Sequence, residues 1–325
     1  MTEATGAHAE MMEQVPCPAC GADRPRVWGR VPHDRYLAAL DIRPPRTARV
    51  LCVACGFLYT TPQPTAEALA RLYASLYRST ALGYESDAPS EAYLALKRQK
   101  AEHDYQWFLR ALPHPIPPGD VLEIGCAEGL LLACFAETGW RTLGLEPTRA
   151  YAAYARTHLG LEVLEGFVET LVALDRRFDV VVALGVLEHI KHPRSMLAKV
   201  SAVLNPEGFC YLQVPNAERP GANPDVFCAP HLSAFTADSF QAFMARAGWA
   251  VAQLEAEATS IYALVRPGLA ELVPAVDNLD ARYRRLRAGF RRYRIRCFAR
   301  RIVDSLRYRA AVAWRRVGRG RRGSS

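Results

Sequence analysis

Four cysteines stand in two close pairs, Cys17-Pro-Ala-Cys20 and Cys52-Val-Ala-Cys55, with 31 residues between the pairs. A C-x-x-C segment can turn two thiolates onto one ion, and two such segments complete a tetrahedral set. Gly21 and Gly56 directly follow the pairs, where a tight knuckle turn favours glycine. A Zn2+ ion held by Cys17, Cys20, Cys52 and Cys55 would have no open coordination position, so its expected role is structural. Paired disulfides are the competing reading. The odd total of nine cysteines, and an acidic segment 1–14 with no apolar run of the kind a secretion signal needs, favour free thiols in a reducing compartment. Nothing around the pairs resembles the setting of a redox-active dithiol.

A second group of residues points to nucleotide chemistry. Val121-Leu-Glu-Ile-Gly-Cys-Ala-Glu-Gly129 is a short apolar run ending in a glycine-rich turn. Glycine there permits a tight turn and lets a ligand approach the backbone. Glu146 follows 23 residues after Glu123, and a carboxylate at that point can accept hydrogen bonds from both hydroxyls of a ribose. Two patterns compete for the turn. A dinucleotide fingerprint needs glycine at the first, third and sixth positions from Gly125, where this chain has Gly125, Ala127 and Leu130, and so fails twice. The pattern acidic-x-G-x-G-x-G finds Glu123, Gly125, Ala127 and Gly129, and fails only at its middle glycine.

These groups need a frame. Apolar runs predict strands at 121–124, 141–145, 161–164, 178–184, 209–214, 249–255 and 261–266. Helices are expected at 130–137, 148–158 and 237–247, with a turn at 205–208. Strands spaced by helices of about ten residues imply right-handed crossovers and a doubly wound sheet. Ligands of such sheets bind at the carboxyl ends of the strands. The chain divides into a disordered leader (1–14), a zinc-binding knot (15–60), a helical linker or lid (61–117), the α/β unit (118–266) and a basic helical tail (267–325). No stretch of 18 apolar residues predicts a membrane-spanning helix.

Taken together with Phe178-Asp-Val-Val-Val-Ala-Leu-Gly-Val-Leu-Glu-His-Ile190 and Leu204-Asn-Pro-Glu-Gly-Phe209, the turn and Glu146 resemble the class I S-adenosylmethionine-dependent methyltransferases. The branch is the one with leucine-glutamate-histidine after the fourth strand. The resemblance covers residues 118–266 and implies a Rossmann-like fold with S-adenosylmethionine as cofactor. It implies that Glu123, Gly125, Cys126, Ala127 and Gly129 border the methionine portion. Glu146 would take the ribose, Phe167 and Val168 would flank the adenine, and Leu184 and Gly185 would close the pocket. Cys55-Gly-Phe-Leu-Tyr-Thr-Thr-Pro-Gln-Pro64 resembles the zinc-bearing leader of bacterial sugar and natural-product methyltransferases. Such a leader would help form the acceptor pocket, with Tyr73, Tyr77 and Tyr84 as candidate lining residues or as a helix packing face.

Methyl transfer is an in-line displacement, and positioning alone supplies roughly 7–11 kcal/mol of barrier reduction. The acceptor must still lose its proton, and a histidine general base suits that. His231, in Pro230-His-Leu-Ser-Ala-Phe-Thr236, is the first expectation, and His189 the second. Glu188 reads as a loop anchor. The deoxysugar C-methyltransferases have Tyr-His-Glu-His where this chain has Cys228-Ala-Pro-His231, which turns the expectation from carbon to oxygen methylation. The ubiquinone-pathway O-methyltransferases have Glu-x-x-Glu-His, a magnesium-binding pattern. This chain has Gly185 at the first position of it, so no catalytic metal is expected.

The net charge of +8 is unevenly placed. Residues 266–325 hold 18 Arg and four acidic residues, a net of +14, which leaves the rest of the chain at −6. Apolar residues recur at Leu279, Tyr283, Leu286, Phe290 and Tyr293, one face of a helix. Three readings of this tail follow: packing on the protein body with a solvated arginine face, contact with an anionic membrane surface, and nucleic-acid binding. Packing is preferred, with nucleic acid last. The expected function is O-methylation of a sugar, glycan or small polar metabolite in the cytoplasm, with peripheral attachment to the inner membrane face as an extension. The alternatives are a ribosomal RNA base methyltransferase, a deoxysugar C-methyltransferase and a non-catalytic adaptor of the same fold. Oligomeric state is not legible.

Overall fold

The computed structural model describes residues 11–30, 34–42, 47–73, 90–218, 226–268 and 278–295. In chain order the first elements are β1 (Met12–Glu13), β2 (Pro25–Arg30), α1 (Arg35–Ala39), β3 (Ala48–Cys52), β4 (Leu58–Thr61), β5 (Gln63–Pro64) and α2 (Ala66–Arg71). The long α3 (Glu91–Ala111) then leads into β6 (Asp120–Ile124), α4 (Leu130–Glu137), β7 (Arg141–Glu146), α5 (Arg149–Leu159), β8 (Val163–Glu165) and β9 (Phe178–Leu184). A 3-10 turn (Leu187–His189) precedes α6 (Pro193–Val203), β10 (Leu204–Pro215), β11 (Ser233–Ala234), α7 (Ala237–Arg246), β12 (Trp249–Ala256) and β13 (Ser260–Pro267). A last helix, α8, runs through 279–295.

Seven strands form one sheet in the order β12-β13-β10-β9-β6-β7-β8. The pairs from β10 to β8 are parallel, and β13 alone runs against its neighbours. The chain winds outward from β6 through β7 to β8, then returns to the other side of β6 at β9. Loops after β6 and β9 therefore diverge at the sheet's carboxyl edge and leave a crevice between them. The doubly wound α/β architecture expected from the sequence is present.

Local chemistry sets the element ends. Gly129 opens α4 with φ 78°, a left-handed conformation that costs other residues energy. Thr236 and Ser239 form a reciprocal capping box that starts α7. Helix α6 was not read from the sequence. Pro193 stands in its first turn, and Met196, Leu197, Val200 and Val203 form its buried face. The turn expected at 205–208 lies inside β10, whose pairing with β9 shifts between Leu204 and Phe209. A bulge absorbs the extra residues without ending the strand.

The N-terminal segment does not stand apart. Its sheet has the order β11-β4-β3-β2, so a strand from residues 233–234 completes it, with Ser233 opposite Tyr59. Cys17, Cys52, Cys55 and Phe57 share one apolar core with Leu122, Val181, Leu212 and Phe243 of the main sheet and α7. Helix α8 lies across the same small sheet. Its Leu286 and Phe290 are buried with Trp28, Leu51 and Phe227, and Leu279, Tyr283 and Tyr293 pack beside them. The apolar face read from the sequence is the face that packs, while Arg284, Arg285, Arg287, Arg291, Arg292 and Arg294 are exposed. Tyr77, Tyr84 and everything after residue 295 lie outside the described residues, as do residues 1–10.

Candidate active site

The crevice is a cavity of about 800 Å³ at the carboxyl ends of β6, β7 and β9. Glu123, Gly125, Cys126, Ala127, Glu146, Phe167, Val168, Leu184 and Gly185 all line it. Gly129 does not. A Cβ there would come within 2.8 Å of Leu161 Cδ1 and 3.0 Å of the Ala155 Cβ, so glycine at 129 serves the close packing of α4 on α5 and its own φ. Tyr73 lines the cavity beside His189.

The glycine loop is tied down by backbone. Gly125 N donates to Leu145 O at 2.7 Å, and Gly129 N to Cys126 O at 2.8 Å. Gly125 has φ 73°, and a Cβ on it would sit 2.8 Å from Val186 Cγ2. Ala127 holds φ 49°, so the substitution at the middle glycine is accommodated in a left-handed conformation rather than avoided. Glu146 secures this bend. Its Oε2 accepts from Ala127 N at 3.0 Å and its Oε1 from Thr148 N at 2.8 Å. Each oxygen retains acceptor capacity for a ligand hydroxyl.

The floor of the cavity is acidic. Glu123, Glu128 and Glu146 are buried, and Asp104 of α3 is buried beside them. Glu123 Oε2 and Glu128 Oε1 have no hydrogen-bond partner among the described residues. Burial pushes the Glu123 carboxyl up to about 8, with Asp104 adding to the effect, Lys100 opposing it and Glu146 reinforcing it. Lys100 pairs with Asp104, and the Tyr262 hydroxyl donates to Asp104 at 3.1 Å. Asp104 was missed in the sequence, though a carboxylate on the apolar side of Leu94-Ala101-Tyr105-Phe108 was a signal. A buried acidic floor with orphaned carboxylate oxygens fits a ligand that brings positive charge.

Of the two histidines, His189 lines the cavity and His231 does not. This reverses the order expected from the sequence. His231 is 7% exposed and stands behind His189, the ring centroids 4.7 Å apart at 79°. Burial pushes His231 well below the usual imidazole range, and His189 and Arg49 push the same way. A buried imidazole without access to the cavity cannot take a proton from an acceptor bound there. His189 Nδ1 lies 2.8 Å from the Tyr73 hydroxyl and 3.1 Å from Pro230 O.

The loop that carries His231 is anchored by two residues the sequence reading passed over. Arg49, 1% exposed, donates to the carbonyls of Phe227, Cys228 and His231 and to Thr60 Oγ1. Asp34 caps α1 through Oδ1 and accepts from Ala229 N at 2.6 Å through Oδ2. The signal for Arg49 was a lone charge in the otherwise apolar run Ala48-Arg-Val-Leu-Cys52.

The four cysteines converge. Cys17 and Cys55 sulfurs are 3.6 Å apart, those of Cys20 and Cys52 are 3.7 Å apart, and all four lie within 4.8 Å of one another. None is in a disulfide. A tetrahedron of Zn–S bonds about 2.3 Å long has sulfur–sulfur edges of about 3.8 Å. The donor set and spacing fit such an ion.

Residues 96–254, which include most strands of the main sheet, match the family model described as a methyltransferase domain. Curated relatives include the ubiquinone biosynthesis O-methyltransferase of Methylobacterium sp. (strain 4-46), 30% identical over 104 residues, or 30% of this chain and 42% of that protein. That of Bradyrhizobium sp. (strain ORS 278) is 32% identical over 100 residues, covering 30% and 40%. The chain spans only about 40% of the length of these relatives. Among solved structures, a DhpI-SAH complex is 19% identical, covers 63% of this chain and 99% of its own, and has a TM-score of 0.47.

Proposed function

We propose that this chain transfers a methyl group from S-adenosylmethionine to an oxygen of a sugar, glycan or other small polar acceptor. The observation that carries the reading is the cavity itself: a strained glycine loop, a carboxylate at the end of β7, and an acidic floor whose orphaned oxygens suit a cationic cofactor. S-adenosylmethionine, when bound, supplies a methyl carbon already activated by its sulfonium. Glu146 would hold the ribose hydroxyls with the acceptor capacity that Ala127 N and Thr148 N leave to it. Phe167 and Val168 would flank the base, and Glu123 would face the methionine end. Oxygen is favoured as the acceptor atom by the O-methyltransferase activity for which the curated relatives are named. The acceptor's proton is lost at the His189 end of the cavity, where an imidazole reaches the lining.

The four-thiolate site holds Zn2+ in a structural role, because it fixes the β2–β4 sheet whose strand partner β11 follows directly on His231. The exposed arginines of α8 give the chain a surface for anionic lipid headgroups, which would bring it to a lipid-carried acceptor. Calorimetric titration with S-adenosylmethionine tests the central reading. Binding is expected in the zinc-loaded protein and is expected to be lost in Glu146→Ala. Absence of binding by the folded, zinc-loaded chain would leave a non-catalytic member of the fold.

A further inference from the structure

The cavity carries two kinds of charge in different places. Its floor is acidic, but the wall at α6 is basic. Lys191 and His192, just before α6, line the cavity together with Ser195 and Lys199 of the helix. Residues 192, 195 and 199 recur at intervals of three and four, which puts them on one helix face. The carboxylate of a bound S-adenosylmethionine does not account for this wall. On the methyl-transfer reading the methionine end lies by Glu123 and Asp104, where Lys100 is the paired cation.

Both lysines of the wall are withdrawn from water, their side chains 15% and 23% exposed. Lysine is rarely held this way unless an anion meets it. The anions that do so are the more exposed partners. Glu13, on the two-residue strand β1, is 46% exposed and pairs with Lys191. Glu169, 71% exposed, lies 3.5 Å from Lys199. Lys191 also donates to Pro64 O at 2.8 Å. An ammonium has three donors, so these two contacts leave Lys191 one more to give. In each pair the cation belongs to the cavity wall and the carboxylate to the surface, so the carboxylate is the member that an incoming anion can replace.

We propose that the α6 wall is a phosphate site, and that the acceptor is a phosphorylated molecule whose phosphate takes the place of Glu13 on Lys191, with Ser195 and Lys199 along the same wall. Two ammonium groups and a hydroxyl suit a dianion with several acceptor oxygens better than they suit a single carboxylate. Glu13 turns out to water as the phosphate enters, and no covalent bond changes. The rest of the acceptor then lies toward Tyr73 and His189, which line the same cavity. The acceptor role of the phosphorylated ligand, though not the phosphate site itself, rests on the methyl-transfer reading.

The experiment is calorimetric titration of the full-length, zinc-loaded protein, without S-adenosylmethionine, with glucose and glucose 1-phosphate. The phosphate ester is expected to bind at least tenfold more tightly than glucose, and inorganic phosphate is expected to compete with it. Affinity should fall at least tenfold when Lys191→Gln and Lys199→Gln are combined, with heat denaturation checking that this variant remains folded. Glu13→Gln removes the competing carboxylate and should tighten binding severalfold, a gain that a merely structural pairing of Glu13 with Lys191 would not produce. UDP-glucose and polyprenyl phosphate in detergent micelles are titrated in parallel. Lysine-dependent binding of any of the three phosphate esters supports the site, and the tightest identifies its source as a free, nucleotide-linked or lipid-linked phosphate. Binding of none of them, equal binding by the double lysine variant (which would put the phosphate on the arginines of α8), or no gain in Glu13→Gln would overturn the assignment. A separate titration with S-adenosylmethionine tests the methyl-transfer reading, so either can fail while the other stands.

Discussion

On the proposed methyl-transfer reading, Glu123 should tie cofactor affinity to pH. Its carboxyl is buried, has an orphaned oxygen, and is pushed up to about 8, so in the free protein it is mostly protonated at pH 6 to 7. A sulfonium and an ammonium placed against it favour the ionised form. Each pH unit below 8 then costs about 1.4 kcal/mol to remove the proton, or about tenfold in affinity. S-adenosylmethionine should bind roughly a hundredfold more tightly at pH 8 than at pH 6, with little further gain above. The sign for folding is opposite. Between the ordinary 4.5 and about 8 the folded state holds a proton that the unfolded state has released, so stability is full at low pH and falls as pH rises through this window. The ceiling of that loss is roughly 5 kcal/mol. Calorimetry at pH 6, 7 and 8, in buffers of different ionisation enthalpy, reads affinity and proton release together. About one proton should leave per cofactor bound at pH 6.5, and none in Glu123→Gln. A flat affinity profile, or proton release unchanged in Glu123→Gln, would refute the reasoning.

Other consequences follow from single contacts. Ala127→Gly relieves a left-handed backbone, φ 49°, and should raise stability by about 1 kcal/mol in denaturant melts without weakening cofactor binding. Arg49→Met leaves the buried Phe227 and Cys228 carbonyls and Thr60 Oγ1 without their arginine donor, and His231 O with only the Thr60 hydroxyl, and should cost about 3 kcal/mol or more in the same assay, whereas loss under 1 kcal/mol would show the clamp to be dispensable. Cys52→Ser should abolish zinc retention, measured by elemental analysis, and lower the melting temperature of the whole chain in one transition, because its sulfur sits in the core shared with the main sheet. Reversing Arg284, Arg287 and Arg291 to Glu should remove sedimentation with anionic vesicles at about 1 kcal/mol per residue while leaving cofactor affinity unchanged.

Much of this protein was written in short-range pattern. The alternation of apolar runs and helices from 120 to 267 located the main sheet, because each strand and helix declares itself by its own period. The glycine loop was legible because positive φ demands particular residues over a few positions, and the cysteine pairs because two thiolates must reach one ion from one turn. The apolar face of 279–293 was visible for the same reason, and it is the face that packs.

What the sequence left open depended on contacts between distant segments. The sequence placed His231 ahead of His189 as a base, and only the fold puts His189 in the cavity wall and His231 behind it. Gly129 looked like a ligand contact, yet the approach of α5 reserves it for packing. Strand β11 joins a sheet begun far back along the chain at β2, with Ser233 opposite Tyr59, and no local signal announces such a partner. Arg49 reaches the loop 226–231 across 178 to 182 residues of chain. Periodicity reports the neighbours of a residue along the chain, while burial, orphaned lone pairs and shared ligands arise where the chain returns to itself.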